Sequence, residues 1–208
     1  MKKIFFAATG LLMGSLIAAQ KYPEPEFTNE VCFLKKDSIW VALRLEKGSS
    51  KMDTKMKMGG LGGAESGYTL EGEKSTVRLN SGKDLSFVIS TGASASFSAK
   101  NDSMMRANGV DPSMMNGMTD PSNTITLYKT DVSKGNRKIL MQKSPGMFGG
   151  KKATSSDKYT FSIKKVKEGY YELVIDKPLP KGEYAFTMMS YGMGNMDGSL
   201  SLFAFAID

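Results

Sequence analysis

The 208-residue sequence predicts an all-β protein, an antiparallel β-sandwich of about ten strands that follows an N-terminal signal peptide. Three observations carry this. Apolar and polar residues alternate with a period of two along most of the chain, helical periodicity is almost absent after the first twenty residues, and turn-forming residues punctuate the runs at short intervals.

The export segment comes first. Met1-Lys2-Lys3 supplies a short positive head, and Ile4 to Ala19 is uncharged and rich in Phe, Leu, Ala and Ile. This stretch is shorter than the roughly 20 apolar residues a membrane span needs, and Lys21, Pro23, Glu24, Pro25 and Glu26 follow at once. A cleavable signal over residues 1–19 is therefore expected, with Gln20 as the new N-terminus and residues 20–208 as one domain. No cysteine follows the cut directly, so a lipid anchor is not expected, and the single cysteine, Cys32, cannot form an internal disulfide. The sequence leaves periplasm and cell surface both open. Lying in the apolar run Val31-Cys32-Phe33-Leu34, Cys32 reads as a core thiol.

The strands are read in order. Cys32–Leu34 and Ile39–Leu45 form an opening pair, with Ile39, Val41, Leu43 and Leu45 on one face and Trp40, Ala42 and Arg44 on the other. Met52–Met58 alternates Met with Lys or Thr and suits a half-exposed strand, and Gly59–Gly63 ends it. Tyr68–Leu70, Ser75–Leu79 and Leu85–Ile89 follow. The Ser-, Asn-, Gly- and Met-rich stretch from about 90 to 123 reads as a long loop and as the expected contact surface. Thr124–Tyr128, Lys138–Met141, Tyr159–Val166, Tyr170–Ile175, Glu183–Met188 and Leu200–Ile207 complete the pattern. The last is apolar on both faces and predicts a central strand covered on both sides. Lys177–Gly182, with two prolines, is a turn.

Gly72-Glu73-Lys74-Ser75-Thr76-Val77-Arg78-Leu79, Leu179-Pro180-Lys181-Gly182-Glu183-Tyr184-Ala185-Phe186 and the terminal Phe203-Ala204-Phe205-Ala206-Ile207-Asp208, taken with Thr126–Lys129 and Arg137–Leu140, resemble a group of exported bacterial β-domain proteins. That group carries E-G-x-K-S, a proline with G-E-Y, and a C-terminal F-x-F-G-[IV]-D strand. The resemblance spans roughly residues 30–208 and implies a fold and an envelope address. It implies no catalytic residue or ligand. Ala206 stands where the group has glycine, and the Met-rich inserts at 104–118 and 188–196 are further departures. Read physically, Gly182 closes the turn, Tyr184 and Phe186 point inward, and Glu183 is expected to face solvent.

With no histidine in the chain, Ser-His-Asp and Cys-His catalysis and imidazole-based zinc sites are excluded. Glu71 and Glu73 read as a turn, and Gly146–Lys152 lacks the spacing of a phosphate loop. No catalytic residue or resident cofactor is assigned. The net charge of +7 falls by two to +5 once Lys2 and Lys3 leave with the signal, and no basic window is interleaved with aromatics, so nucleic acid is not an expected partner. The sixteen methionines bunch, and thioethers select Cu(I). Met104, Met105, Met114, Met115 and Met118, with Met193 and Met196, are the candidate ligands for such an ion; the bland reading is adaptable apolar filler. The expected function is an exported, non-enzymatic binding or structural protein of the cell envelope whose partner is an envelope protein or polymer. A methionine-based Cu(I)-binding periplasmic protein is the first alternative. A carbohydrate-binding module drawing on Trp40 and on Tyr68, Tyr128, Tyr159, Tyr170, Tyr171, Tyr184 and Tyr191 is the second. Asp102-Ser103-Met104 and Asp37-Ser38-Ile39 resemble short O-glycosylation acceptors, and Asn101-Asp102-Ser103 fits an N-glycan sequon.

Overall fold

A computed structural model describes residues 21–36, 39–56, 63–81, 84–91, 103–104, 106–109, 111, 121–145, 154–188 and 199–208. The protein is all-β: among the described residues 64% are strand and one tiny helix occurs, and the antiparallel sheets pack together as a β-sandwich. Three sheets form three layers. Sheet A has the order β12(Phe161–Lys167)-β13(Tyr170–Ile175)-β7(Ser86–Ser90)-β1(Val31–Lys36)-β2(Trp40–Arg44). Sheet B runs β11(Lys158–Tyr159)-β8(Ile125–Lys129)-β14(Gly182–Met188)-β15(Ser199–Ile207)-β3(Glu46–Lys51). Sheet C runs β4(Asp53–Met56)-β5(Gly63–Glu71)-β10(Asn136–Pro145)-β9(Asp131–Ser133). The short β6(Arg78–Leu79) pairs in parallel with the end of β15.

Sheet B is the middle layer, and the sequence of β15 shows why. Phe203, Phe205 and Ile207 enter the core shared with sheet A, while Leu202 and Ala204 enter a second core shared with sheet C. All five are at most 2% exposed. The expectation of a central strand covered on both sides is met. In the A–B core Phe87 makes ring contacts with Phe186 at 4.9 Å and Phe205 at 5.0 Å, and Tyr184 stacks on Phe205 at 5.6 Å. Each such buried ring contributes about 1.5–3 kcal/mol by burial alone.

The B–C core is built on size complementarity. Ala185, Ala204 and Gly48 on sheet B meet Tyr68, Leu70 and Ile139 of sheet C. A Cβ at Gly48 would lie 2.5 Å from Leu70 Cδ2, so the Leu70 side chain packs against the bare Gly48 backbone and would have to shift to admit a larger residue there. Single residues carry the chain between layers: Leu45 from A to B, Met52 and Thr130 from B to C, and Thr160 from B to A.

Several expectations are corrected by this third layer. Glu183 does not face solvent: it is only 9% exposed, because the face of β14 opposite Tyr184 is covered by sheet C and the segment 72–78. Tyr159–Val166 is not one strand. It splits at Thr160 into β11 of sheet B and β12 of sheet A, since alternation continues through the bend. In Ser75–Leu79 only Arg78 and Leu79 pair, and Thr124 ends the helical turn Pro121–Thr124 rather than opening β8. Fifteen strands are present among the described residues because bends divide longer runs. Most of the stretch from 90 to 123 lies outside the described residues. Gly182 takes the positive φ of 153° that the turn reading required, and Tyr184 and Phe186 are fully buried.

Sheet C is fastened to sheet B by charge. Arg137, 1% exposed on β10, donates to both carboxylate oxygens of Glu46 on β3, at 3.1 Å and 2.5 Å. It also donates to the carbonyls of Gly72 at 3.0 Å and Glu71 at 2.8 Å. Removing one partner of such a buried pair strands the other charge. Arg137→Ala is expected to cost about 3–5 kcal/mol, read as a lower urea midpoint. Lys138→Ala, on the opposite face of the same strand beside Glu65, stays within about 1 kcal/mol.

Candidate functional site

Of the seven candidate methionine ligands only Met104 lies among the described residues. Met104 is 68% exposed, with its carbonyl accepting from Asn108. Met105, Met114, Met115, Met118, Met193 and Met196 lie outside the described residues. Of the remaining methionines, Met52 and Met56 are exposed at 50% and 70%, whereas Met188 is buried in the A–B core. A flat aromatic platform is not present in Tyr68, Tyr128, Tyr170 and Tyr184, which are all core residues. Ser38, Asn101 and Asp102 are also outside the described residues. Cys32 is 2% exposed, and its thiol is pushed up to about 11, first by burial and then by the nearby Glu30 carboxylate, as fits an inert core thiol.

Two features of sheet A do offer surface chemistry. The first is the outer face, where β13 and β12 present Glu172 and Lys164 in register and β1 brings Lys36 alongside. Glu172, only 3% exposed, accepts from Ser86 Oγ at 2.5 Å and from the Tyr22 hydroxyl at 2.9 Å, and pairs with Lys36 Nζ at 3.0 Å. The segment 21–24 is thereby laid across the sheet as a strap. Tyr22 sets its ring edge-on to Trp40 at 4.5 Å and to Tyr170 at 6.3 Å. The Tyr170 hydroxyl donates to the Pro23 carbonyl, and Lys167 pairs with Glu24. Beneath lies a satellite cluster of Cys32, Leu34, Val88 and Tyr170. Lone glutamates in an alternating strand read as solvent-facing, so the only sequence signal for this site was the aromatic Tyr22 so near the expected cut.

The second feature is the edge strand β2, which pairs with β1 alone among the described residues. The face assignment of Ile39, Val41, Leu43 and Leu45 agrees with the register, in which Val41 and Leu43 lie opposite Lys35 and Phe33. Leu45 is buried, but Ile39, Val41 and Leu43 are 77%, 42% and 41% exposed. Trp40–Arg44 contains no proline, bulge or inward charge of the kind that protects edges from pairing. Elsewhere, a hollow over Gly67 on sheet C, edged by Asp53, Lys55, Glu65 and Lys138, has a volume of about 20 Å³, room for one water. No group of three or more Cys, Asp or Glu side chains that could hold a metal occurs among the described residues.

Comparison with protein-family models, curated proteins and solved structures returns no match for this chain.

The carboxylates set the response to acid. Burial raises the Glu172 carboxyl, but hydrogen bonds from Ser86, Lys36 and Tyr22 outweigh it and hold the group below the ordinary glutamate range. Glu46 is lowered in the same way, burial opposing the bonds from Arg137 and Thr76. A carboxyl depressed in the folded state stabilises it above the ordinary value of about 4.3, and that contribution is lost as pH falls through the lowered folded value. Stability should therefore be level from neutral pH to about 5 and fall steeply below about 4. Glu172→Gln is expected to flatten this fall, as measured by urea unfolding at a series of pH values.

Proposed function

We propose that this chain is an exported, non-enzymatic binding or structural domain of the bacterial cell envelope, which engages an extended, apolar segment of an envelope protein by strand addition to β2. The observation that carries the reading is the exposed row Ile39, Val41 and Leu43 on a strand with one free edge among the described residues. An added strand would satisfy the outward backbone groups of Trp40–Arg44, and its alternate side chains would cover the row. Export is supported by the signal-like residues 1–19, and a non-enzymatic role is supported because the buried carboxylates and Arg137 are each paired within the scaffold: Arg137 with Glu46 between sheets C and B, Glu183 with Arg78 in sheet B, Glu172 with Lys36 in sheet A and Glu30 with Arg44 and Lys47. The strap and the ion pairs are scaffold. The edge is what remains to bind.

In cells expressing the full chain, the envelope fraction should contain a product whose intact mass begins at Gln20. Amide exchange over Trp40–Arg44 should slow when the purified domain meets solubilised envelope protein. The double variant Val41→Lys, Leu43→Lys should keep its urea midpoint and lose this protection. A cytoplasmic product retaining Met1, or exchange at β2 that partner extract leaves unchanged, would overturn the reading.

A further inference from the structure

We propose that the segment β2 takes up by strand addition is β2 of a second copy of this chain, paired antiparallel about a two-fold axis at Ala42. This pairing deepens the strand-addition reading and rests on it. The strand Trp40–Arg44 has five residues, and its edge is free among the described residues. An antiparallel register centred on the middle residue is the one that lets two copies overlap along the whole strand. It sets Ala42 opposite the second copy's Ala42, Val41 opposite its Leu43, and Trp40 opposite its Arg44. Two five-stranded sheets A then join into one, and neither copy keeps a bare β2 edge.

Both faces of the joint are complementary to themselves. On the face shared with the A–B core, the exposed Val41 and Leu43 of each copy cover those of the other. Ile39, 77% exposed at the bend before the strand, lies diagonal to the second copy's Leu43. On the outer face the axis falls on an alanine, which leaves room for the bulky Trp40 and Arg44 on either side of it. There each indole meets the other copy's guanidinium, an attractive pair of cation and aromatic ring that occurs twice across the axis. Arg44 is held by Glu30 at 3.0 Å, and Lys36, 5.8 Å from the Trp40 ring, is held by Glu172 at 3.0 Å, so no bare cations confront one another. Five residues a side bury less than the roughly 1,000 Å² of a stable interface, which makes the pairing weak and concentration-dependent. In dilute solution the edge stays open to other segments.

The test oxidises the purified variants Ala42→Cys and Val41→Cys with diamide at one high concentration. The axis brings the two positions 42 within disulfide reach and holds the two positions 41 two residues apart along the strand, so Ala42→Cys should crosslink at least about tenfold faster. The unaltered chain, whose Cys32 is 2% exposed, should stay uncrosslinked. Sedimentation velocity supplies a second readout. The average mass of the unaltered chain should rise with concentration towards that of two chains, and Val41→Lys should abolish the rise. Adding Leu43→Glu should restore it, because each lysine then faces a glutamate of the other copy. Crosslinking at position 41 as fast as at 42, or no rescue by the second substitution, overturns the pairing about Ala42. A chain that stays monomeric while solubilised envelope protein still slows exchange over Trp40–Arg44 overturns self-pairing and leaves strand addition standing. A chain that neither pairs nor gains protection overturns both.

Discussion

Arg137 sits between sheets B and C with its guanidinium spread over one carboxylate and two backbone carbonyls, and the arrangement of the middle and third layers depends on it. A cation at this depth requires Glu46, and Glu46 then accepts from Thr76 N at 3.1 Å. Glu183, 3.9 Å from the same guanidinium, accepts from Ser75 N and Arg78, and Arg78 reaches on to Asp208 at the end of β15. The charges form a chain that fixes segment 72–78 over the edge of the B–C core. Such a buried pair adds little net stability over an apolar substitute, but it fixes register. A slip of one residue between β5 and β10 would turn Arg137 to solvent and leave Glu46 alone.

Three stretches far apart in the chain meet in this cluster. Glu71 and Gly72 offer carbonyls, Ser75 an amide, Glu183 a carboxylate and Asp208 the final charge. Their spacing of more than a hundred residues is closed by the pairing of β14 with β15 and of β6 with β15. A purely structural role accounts for each of them, which is why none enters the proposed binding surface.

Sheet A solves a different problem. One face shares the aromatic core with sheet B, while the other has no second sheet among the described residues and is closed by a strap and Trp40. A strap makes a lighter cover than a sheet. Its hold on Glu172 is polar and local, and the Tyr22 ring adds edge-on contacts to Trp40 and Tyr170. The β2 edge lies past the reach of sheet B, leaving the apolar row partly bare.

Much of the fold was legible in the sequence because alternation records burial directly. Tyr170–Ile175 was read with its true bounds, and the doubly apolar Leu200–Ile207 announced a middle layer. Strand β3 was missed: Glu46–Lys51 has no apolar face and is a strand only because β15 pairs with it. Glu183 was read as exposed because alternation says which residues share a face and not what lies opposite that face. The same limit hid the strap site, since nothing local distinguishes Glu172 from a solvated glutamate until Tyr22, Ser86 and Lys36 converge on it from distant parts of the chain. By itself, then, the sequence determined the all-β class, the period-two faces, the inert thiol and the absence of imidazole chemistry, all of which follow from residue type and local order. Only the tertiary structure decided which polar side chains are buried, which apolar row is left bare and where the ion chain closes, because those depend on how sheets stack and where each one ends.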